Sequence, residues 1–449
     1  MGQPAEQQQN AKKDKKTIYK PRPVSGFPEW LPEIRLVELQ WLDHIRKTFE
    51  SYGFCSIETP SVEELDVLLA KGETDKEIYV LNRLQATEDD AKEARLGLHF
   101  DQTVPLARYT AQHFNDLVFP FKRYQMQRVW RGERPQLGRC REFYQCDIDI
   151  INPDSLPLSF DAELPAVIFD AMSGLDIGRI KMKISNRKIL IGLLDAMGVT
   201  DVIGTTRNVD KLDKIGESAV ADILTKEIGL TTAQITPILE LAMVKSASSK
   251  GLSLTPKNAQ MEEGISELGF VLDNLSHLPE GSVVGDLSIV RGLDYYTGTV
   301  YETNLMDIPE FTSSVCSGGR YDDLAGTFIN RHLPGVGISI GFTRLFDVLH
   351  HYGRIKGDKK SPADVMVVLP NDDQRAAAAQ TARILRGRGM KVEMYHAPQK
   401  IGKQISYAEK KGIPFVWFPP FDAAGSHEVK NLASGEQQTV HPESWVVPS

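Results

Sequence analysis

The stretch of residues 123–149, RYQMQRVWRGERPQLGRCREFYQCDID, constrains the fold of this chain more than any other. Residues 124–131 are a β-rich run, and in residues 139–150 polar and mostly apolar side chains alternate with the period of a strand. Gly and Pro in residues 132–138 indicate a loop between the two runs. We therefore predict two antiparallel strands joined by a charged loop. The predicted polar face carries Arg139, Arg141, Phe143, Gln145, Asp147 and Asp149, and the other face carries Cys140, Tyr144, Cys146, Ile148 and Ile150.

The arginines of this hairpin leave two interpretations open. An ordinary half-exposed hairpin also turns a polar face to water. Arg131, Arg139 and Arg141, however, suit a polyanionic and planar ligand, because guanidinium groups bind phosphate in a bidentate way and an aromatic ring such as Phe143 can stack on a base.

Composition restricts the classes of protein to which the chain can belong. Its 449 residues allow two or three domains, and a hydrophobic content of 41% with 25% charged residues is typical of a soluble globular protein. We find no apolar run of membrane-spanning length and no apolar core of a signal peptide. A net charge of −8 argues against indiscriminate nucleic-acid binding. The four cysteines are widely spaced without a CxxC pair, so we predict reduced thiols in a cytoplasmic protein without structural zinc.

Hydrophobic periodicity divides the chain into segments with different predicted secondary structure. Residues 1–16 are Gln-rich and Lys-rich, which predicts a disordered tail. We expect helices at residues 32–52 and 62–70, a strand at 54–59, and a strand that turns helical at 98–109, with Asp101 and Thr103 at the junction. Residues 187–282 have helical patterns throughout, including helices expected at 189–197, 209–215, 219–228, 235–241 and 261–275.

The remaining segments complete the predicted domain organisation. Residues 283–286 again have the pattern of a strand, and residues 353–362 are a polar linker. Strands and helices alternate in residues 363–449, which predicts an α/β domain with a partly parallel sheet. The predicted division is a tail (1–16), a first domain in two parts (17–186 and 283–352), a helical insertion (187–282), the linker (353–362) and a C-terminal domain (363–449).

A second constellation lies in residues 291–302, RGLDYYTGTVYE, and 316–324, CSGGRYDDL. Tyr295 and Tyr296 are adjacent on a predicted strand and must point to opposite faces, so only one of them can line a given pocket. Arg291 adds a cation, and the glycines allow close approach of the backbone to a ligand. Each feature alone is explained by packing or a turn, but packing accounts poorly for their occurrence together with the arginine hairpin.

These motifs resemble those of the histidyl-tRNA synthetases, which are class II aminoacyl-tRNA synthetases, over nearly all of the chain after the tail. Residues 128–149 resemble the class II motif 2, residues 335–346 (GVGISIGFTRLF) resemble motif 3, and RGLDYY and GGRYD resemble the two histidine-specific motifs. The resemblance implies an α+β catalytic domain built on a mostly antiparallel sheet, with a helical insertion and a C-terminal α/β anticodon-binding domain. Residues 418–429 (FPPFDAAGSHEV) depart from the usual form of that domain in the family.

The resemblance also implies a reaction and its partners. Histidine is activated with ATP to histidyl-adenylate and pyrophosphate, and the acyl group then passes to the 3′-terminal adenosine of tRNA(His). Mg²⁺ is expected on the pyrophosphate side without a protein-only metal site, and the family implies a homodimer in the cytoplasm with no membrane association.

Roles follow from the motifs residue by residue. The resemblance implies ATP binding by Arg131 (α-phosphate and the attacking carboxylate), Glu133 (adenine amino group), Arg139 (β- and γ-phosphates), and Phe143 and Arg344 (the two faces of adenine). It implies histidine binding by Asp101, Thr103, Gln145, Asp149, Arg291, Tyr295 and Tyr296. Of these, Asp149 and Tyr296 would contact the ring, and Asp101, Thr103 and Gln145 would hold the α-ammonium group. Arg291 and Arg131 would be the catalytic pair, with Arg291 bridging α-phosphate and carboxylate.

Three other functions share parts of this pattern. A paralogue of the family serves as a regulatory subunit of ATP phosphoribosyltransferase, but it lacks the C-terminal domain and has a degraded RGLDYY region. Prolyl or threonyl synthetases share motifs 2 and 3 but do not carry RGLDYY followed by GGRYD. An inactive synthetase fold that only binds RNA would not need the arginines that this chain retains.

Overall fold

The centre of the fold is a sheet that carries the predicted hairpin in its interior. The computed structural model describes residues 19–71, 77–84, 95–290, 296–322, 325–420 and 425–448. The predicted tail therefore lies outside the described residues. The strands up to residue 340 are β1 (Cys55–Ser56), β2 (Val62–Glu64), β3 (Val80–Leu81), β4 (Leu96–Leu98), β5 (Phe121–Trp130), β6 (Glu142–Ile151), β7 (Ile180–Asn186), β8 (Lys245–Ser246), β9 (Val283–Asp286), β10 (Thr299–Leu305), β11 (Cys316–Tyr321) and β12 (Gly335–Ile340).

Nine of these strands form the central sheet in the order β1-β5-β6-β12-β11-β10-β7-β9-β8. β1 pairs with β5 and β7 with β9 in parallel, and the other neighbours are antiparallel. The predicted mostly antiparallel sheet is thus confirmed. β2, β4 and β3 form a separate three-stranded sheet.

The hairpin has the predicted alternation, but its second strand is shorter than expected. β5 and β6 pair from Phe121 opposite Ile151 to Trp130 opposite Glu142. Tyr144, Cys146, Ile148 and Ile150 pack in the core, whereas their neighbours on the other face do not. Arg139 and Arg141 lie in the connection and not on β6, because Gln136 and Arg139 exchange backbone hydrogen bonds of 3.1 and 2.8 Å around Gly138. Gly138 has a φ of +70°, which L side chains rarely adopt.

Helices cover the apolar side of the sheet. Up to residue 351 they are α1 (Pro32–Ser51), α2 (Leu65–Leu68), α3 (Thr103–Gln112), α4 (Ser159–Ser173), α5 (Arg187–Ala196), α6 (Val202–Val209), α7 (Leu212–Ile215), α8 (Glu217–Lys226), α9 (Thr232–Ala242), α10 (Ala259–Asn274) and α11 (Phe342–His351). Buried residues of α1, α4, α5, α10 and α11 share one hydrophobic core with the sheet.

Three local predictions were wrong. Residues 62–64 form β2 and not the start of a helix, because they pair with β4 from Val62 opposite Leu98. The strand expected at 54–59 is limited to β1. Residues 209–215 are split between the end of α6 and the short α7, with Asp210 as the C-terminal cap of α6.

The C-terminal part has its own core around Trp417, which is fully buried. Its strands pair in the order Val392–Met394, Val365–Val367, Phe415–Phe418, Glu428–Asn431 and Gln437–Thr439, and the second of these is parallel to both of its neighbours. The partly parallel α/β domain is therefore confirmed. No helix among the described residues is long and apolar enough to cross a membrane. The elements are β13 (Val365–Val367), α12 (Arg375–Gly387), β14 (Val392–Met394), α13 (Ile401–Lys411), β15 (Phe415–Phe418), β16 (Glu428–Asn431) and β17 (Gln437–Thr439).

Candidate active site

One cavity gathers all the predicted site residues that the structure describes. It lies over β6, β11 and β12, between the start of α3 and the start of α11. Arg291 and Tyr295 fall outside the described residues. The ten predicted residues that line the cavity are Asp101, Thr103, Arg131, Glu133, Arg139, Phe143, Gln145, Asp149, Tyr296 and Arg344.

Strand periodicity brings the side chains of β6 into this cavity. Gln145, Asp147 and Asp149 are two residues apart and therefore point to the same face. β12 pairs with β6 in a register that places Gly337 opposite Asp149 and Ser339 opposite Asp147. A Cβ atom at Gly337 would lie 1.9 Å from Asp149 Oδ1, so a glycine is required for this carboxylate to occupy its position.

Asp149 is held by two residues that sequence analysis did not assign to the site. Arg123 Nη2 lies 2.6 Å from Asp149 Oδ2, and the Arg123 side chain is fully buried. The Tyr321 hydroxyl donates a hydrogen bond of 3.0 Å to Asp149 Oδ1. Burial raises the pKa of Asp149 to about 6, although Arg123 and the Tyr321 hydrogen bond both act to lower it. The hairpin register could have revealed Arg123, because it is the direct cross-strand partner of Asp149.

Gln145 and Asp147 share a hydroxyl group on β12. Gln145 Nε2 donates to Ser339 Oγ at 2.8 Å, and the Ser339 side chain also hydrogen-bonds Asp147. The alternation pattern predicts Asp147 on the polar face, but no motif gives it a role. Burial, with smaller contributions from the carboxylates of Asp149 and Asp101, raises the pKa of Asp147 to about 7, although Arg123 and the Ser339 hydrogen bond both act to lower it.

The start of α3 positions the two remaining predicted residues at this end of the cavity. Asp101 Oδ1 accepts a hydrogen bond of 3.1 Å from the backbone N–H of Val104, which satisfies one of the unpaired donors of the first helical turn. Thr103 is the first residue of α3. The Asp101 side chain is thereby fixed by a helix N-terminus, as expected for a polar residue at a strand-to-helix junction.

Arginines occupy the opposite end of the cavity. Arg131 Nε donates to the Phe100 carbonyl at 3.0 Å, and the guanidinium carbon lies 5.2 Å from the centre of the Phe143 ring. Arg139 Nη1 lies 3.1 Å from Glu133 Oε2, and both side chains are partly exposed. Arg131 retains its outer nitrogens as donors for an anion, because the hydrogen bond to Phe100 uses only Nε.

Arg344 connects the hairpin loop to α11. Its Nε donates to the Gly138 carbonyl at 2.9 Å and its Nη1 to the Ser314 carbonyl at 3.0 Å. Asp347 Oδ2 accepts from the Gly138 N–H at 2.9 Å. Both the N–H and the carbonyl group of Gly138 are thereby hydrogen-bonded to side chains that lie one turn apart on α11.

The cavity is therefore electrostatically divided. Asp147 and Asp149 lie along β6 away from the hairpin loop, and Asp101 is close enough to act on both, whereas Arg131, Arg139 and Arg344 lie around the loop. Such an arrangement can hold a ligand with a cationic group at one end and phosphates at the other, and it can stabilise negative charge that develops between them.

Comparisons with known proteins agree with this geometry. A family model described as histidyl-tRNA synthetase matches residues 26–345, and a model described as anticodon binding domain matches residues 364–446. A histidine–tRNA ligase from Thermobifida fusca is 60% identical over 432 residues, which cover 95% of this chain and 98% of that protein.

Solved structures have the same fold. A histidyl-tRNA synthetase from Nostoc sp. PCC 7120 superposes with a TM-score of 0.84 at 40% identity and covers 94% of this chain and 97% of that one. A chain from Bacillus halodurans, described as an ATP phosphoribosyltransferase regulatory subunit/histidyl-tRNA synthetase, has a TM-score of 0.72 at 20% identity, covering 87% of this chain and 97% of that one. The second likeness concerns the fold alone.

Proposed function

The chain belongs to the histidyl-tRNA synthetase family, and on this premise we propose how its cavity ligates histidine to tRNA(His). The observation that carries the proposal is the convergence of ten predicted residues, from four separate segments of the chain, on one cavity with a carboxylate end and an arginine end. The carboxylate end receives histidine, and the arginine end receives ATP.

Activation joins the two substrates in the middle of the cavity. The histidine carboxylate attacks the α-phosphorus of ATP, the bond to the bridging oxygen breaks, and pyrophosphate leaves. No covalent enzyme intermediate is needed, so catalysis consists of positioning and of stabilising the charge that builds on the phosphate. Arg131 holds the α-phosphate and the carboxylate from the hairpin side, and Arg291 bridges the same groups in the proposal.

The arginine end fits the nucleotide in three ways. Phe143 presents a ring for adenine and Arg344 offers a guanidinium plane, which are the groups that stack on bases. Glu133 can accept a hydrogen bond from the adenine amino group, and Arg139 can bind the β- and γ-phosphates. The Glu133–Arg139 contact must then open, which costs little because partly exposed ion pairs contribute about 0–1 kcal/mol.

The carboxylate end fits the amino acid. Asp149 is positioned by Arg123 and Tyr321 to accept a hydrogen bond from a ring nitrogen, and Tyr296 and Tyr295 belong to the same ring pocket in the proposal. Asp101, Thr103 and Gln145 hold the α-ammonium group. A buried partner left unpaired by a wrong amino acid costs about 1–3 kcal/mol, which gives selectivity for imidazole.

Mg²⁺ is also part of the proposal. No group of three or more His, Cys, Asp or Glu side chains in the described part of the chain could hold a metal ion. We propose that Mg²⁺ enters with ATP, as in the family, and would neutralise charge on the departing pyrophosphate.

The remaining assignments concern the whole molecule. We propose the domain division given by the sequence, with residues 187–282 as an insertion and 363–449 as the domain that contacts the tRNA anticodon. We further propose a cytoplasmic homodimer, as in the family. Light scattering behind a sizing column tests the dimer, because it would give twice the chain mass of 50.1 kDa.

Amino-acid-dependent ATP–pyrophosphate exchange, run with each amino acid in turn, tests the function. We expect exchange with histidine alone, followed by charging of tRNA(His). Exchange with another amino acid would favour a different class II synthetase, and no exchange with any would favour a regulatory or RNA-binding role. Arg291→Ala should reduce exchange far more than ATP binding, and an equal loss of both would make Arg291 a ground-state binding residue.

A further inference from the structure

Asp147 is a buried carboxylate of the cavity for which neither the motifs nor the proposed function provides a role. Its exposed fraction is 4%, yet it lines the cavity. Its Oδ1 atom has no hydrogen-bond partner among the residues that the structure describes. Leaving a buried acceptor unpaired is costly, so an unpaired oxygen at the edge of a ligand cavity indicates a partner that the ligand supplies.

The contacts of the Asp147 carboxyl group with the protein come from its neighbours on β6 and β12. Ser339 lies opposite Asp147 in the β6–β12 register, and its Oγ already accepts a hydrogen bond from Gln145 Nε2 at 2.8 Å. The Ser339 hydroxyl hydrogen is therefore available to Asp147, to which the Ser339 side chain is hydrogen-bonded. The Asp147 carboxyl group thus has a hydroxyl group beside it, and its Oδ1 atom is left for a ligand.

The charges around Asp147 favour a cation. Asp149 on the same strand and Asp101 before α3 are both close enough to repel it, and Arg123 on β5 is the cation that acts on it. The residues of β12 that face it, Ser339 and Gly337, are uncharged. When all three carboxylates are ionised, this end of the cavity holds two more negative than positive charges, a surplus that a bound ammonium group reduces.

We propose that Asp147 binds the α-ammonium group of the amino acid substrate, between Asp101 and Gln145. This rests on the proposed function. Asp149 is already engaged by Arg123 and Tyr321, which leaves it suited to the ring, whereas Asp147 shares Ser339 with Gln145, the residue assigned to the ammonium group. An ammonium group has three donors, so Asp147 joins Asp101, Thr103 and Gln145 as one of four acceptors that share them.

Proton release provides a direct signature of this contact. The pKa of Asp147 is raised to about 7, so a substantial fraction of the free protein carries a proton on this carboxyl at neutral pH. Binding of a cation favours the ionised form, and the proton is released. The number of protons released is measured by calorimetry in buffers of different ionisation enthalpy.

The test compares the wild-type protein with Asp147→Asn using three ligands: L-histidine, histidinol, which lacks the carboxylate, and imidazolepropionate, which lacks the ammonium group. We expect Asp147→Asn to weaken histidine and histidinol by about tenfold or more, because a charge-assisted hydrogen bond is lost. Imidazolepropionate should change by less than about threefold, and at pH 7 histidine should release about half a proton fewer from the variant. Asp116→Asn, on the protein surface, is the matched control, and ATP binding reports that the variant is folded.

Two results would overturn the assignment. Equal weakening of all three ligands would place Asp147 at the ring or in a purely structural role, and unchanged affinities with unchanged proton release would remove it from the binding site. If the wild-type protein still catalyses histidine-dependent exchange, either result leaves the proposed function intact. If the wild-type protein binds neither histidine nor histidinol, the proposed function fails and this inference fails with it.

Discussion

Arg123 Nη2 lies 2.6 Å from Asp149 Oδ2, and the arginine side chain is completely buried. The two residues are direct cross-strand partners in the hairpin. A buried charge whose partner is removed costs far more than the pair contributes, because the remaining charge keeps its desolvation penalty. The pair therefore links the stability of the hairpin to the charge state of Asp149 in the proposed histidine pocket.

Replacing Arg123 with Met should affect both stability and substrate binding. We expect a loss of about 3–5 kcal/mol in the free energy of unfolding at pH 8, measured by denaturant titration, because Asp149 is left buried and unpaired. The KM for histidine should rise, since Asp149 will hold a proton at a higher pH. Arg128→Met on the same strand is the control, because its guanidinium is half exposed. Similar losses in the two variants would show that the buried pair has no special importance.

Asp147→Asn should stabilise the protein at alkaline pH. Burial raises the pKa of Asp147 to about 7, so between about pH 4 and pH 7 the folded protein holds a proton that the unfolded chain has released. The bound proton stabilises the folded state at the acid end of this pH range, and this stabilisation is lost as the pH rises to 7. Above pH 7 the wild-type protein carries a buried charge that the variant lacks.

We therefore expect Asp147→Asn to exceed the wild-type protein in free energy of unfolding by about 1–3 kcal/mol at pH 8, with the difference shrinking towards pH 5. Denaturant titrations across this pH range provide the measurement. A difference that is constant with pH would show that Asp147 does not titrate in the folded protein.

Arg139→Ala should separate the phosphates of ATP from its nucleoside. If Arg139 binds the β- and γ-phosphates, the variant should lose about tenfold in ATP affinity and very little in AMP affinity, because AMP lacks those groups. Equilibrium binding of both nucleotides tests this. An equal loss for AMP would move Arg139 to the α-phosphate or the base.

Phe143→Ala should weaken every adenine nucleotide and leave histidine binding nearly unchanged. Stacking of a base on an aromatic side chain contributes about 1–3 kcal/mol. Tyr144→Phe is a useful control, because Tyr144 points to the opposite face of the strand and packs against the core. If the KM for ATP stays at the wild-type value in Phe143→Ala, adenine does not stack on this ring.

Gly337→Ala should raise the KM for histidine and destabilise the protein. The added methyl group would lie 1.9 Å from Asp149 Oδ1, so the carboxylate or the strand must move. Gly402→Ala is the matched control: Gly402 lies within α13 and has nothing within 4 Å of an added methyl group. That control should gain up to about 1 kcal/mol from helix propensity. Histidine binding that survives Gly337→Ala would show that Asp149 can relocate.

The sequence predicted the parts of the site that lie on regular local patterns. The alternation of residues 143–150 was enough to separate Gln145 and Asp149 from the core residues between them. The family motifs supplied the partners of that face from distant segments, such as Asp101 and Arg344. The fold class followed from the same motifs, and the structural comparison supports it.

Other parts could not be read from local patterns, because they depend on pairing between strands far apart in the chain. Tyr321 reaches Asp149 only because β11 and β12 lie beside β6, and Ser339 gains its role from a register that no local pattern encodes. The strand at Val62–Glu64 was mistaken for helix for the same reason, since its partner, β4, is a short strand that begins at Leu96. The connection at Arg139 was mistaken for strand because the alternating pattern continued through a turn closed by Gln136.

The anchoring of Gly138 has a consequence for synthesis on the ribosome. Arg344 and Asp347, which fix this loop, follow it by more than two hundred residues. A nascent chain that has emerged only as far as residue 186 already contains the whole hairpin, but it lacks Tyr321, Gly337 and α11. Domains begin to fold from the N-terminal side during translation. The hairpin of such a chain therefore contains Arg123 and Asp149 but lacks the elements that complete the pocket around them. Substrate binding can begin only when the last strand and helix of the catalytic part have been made.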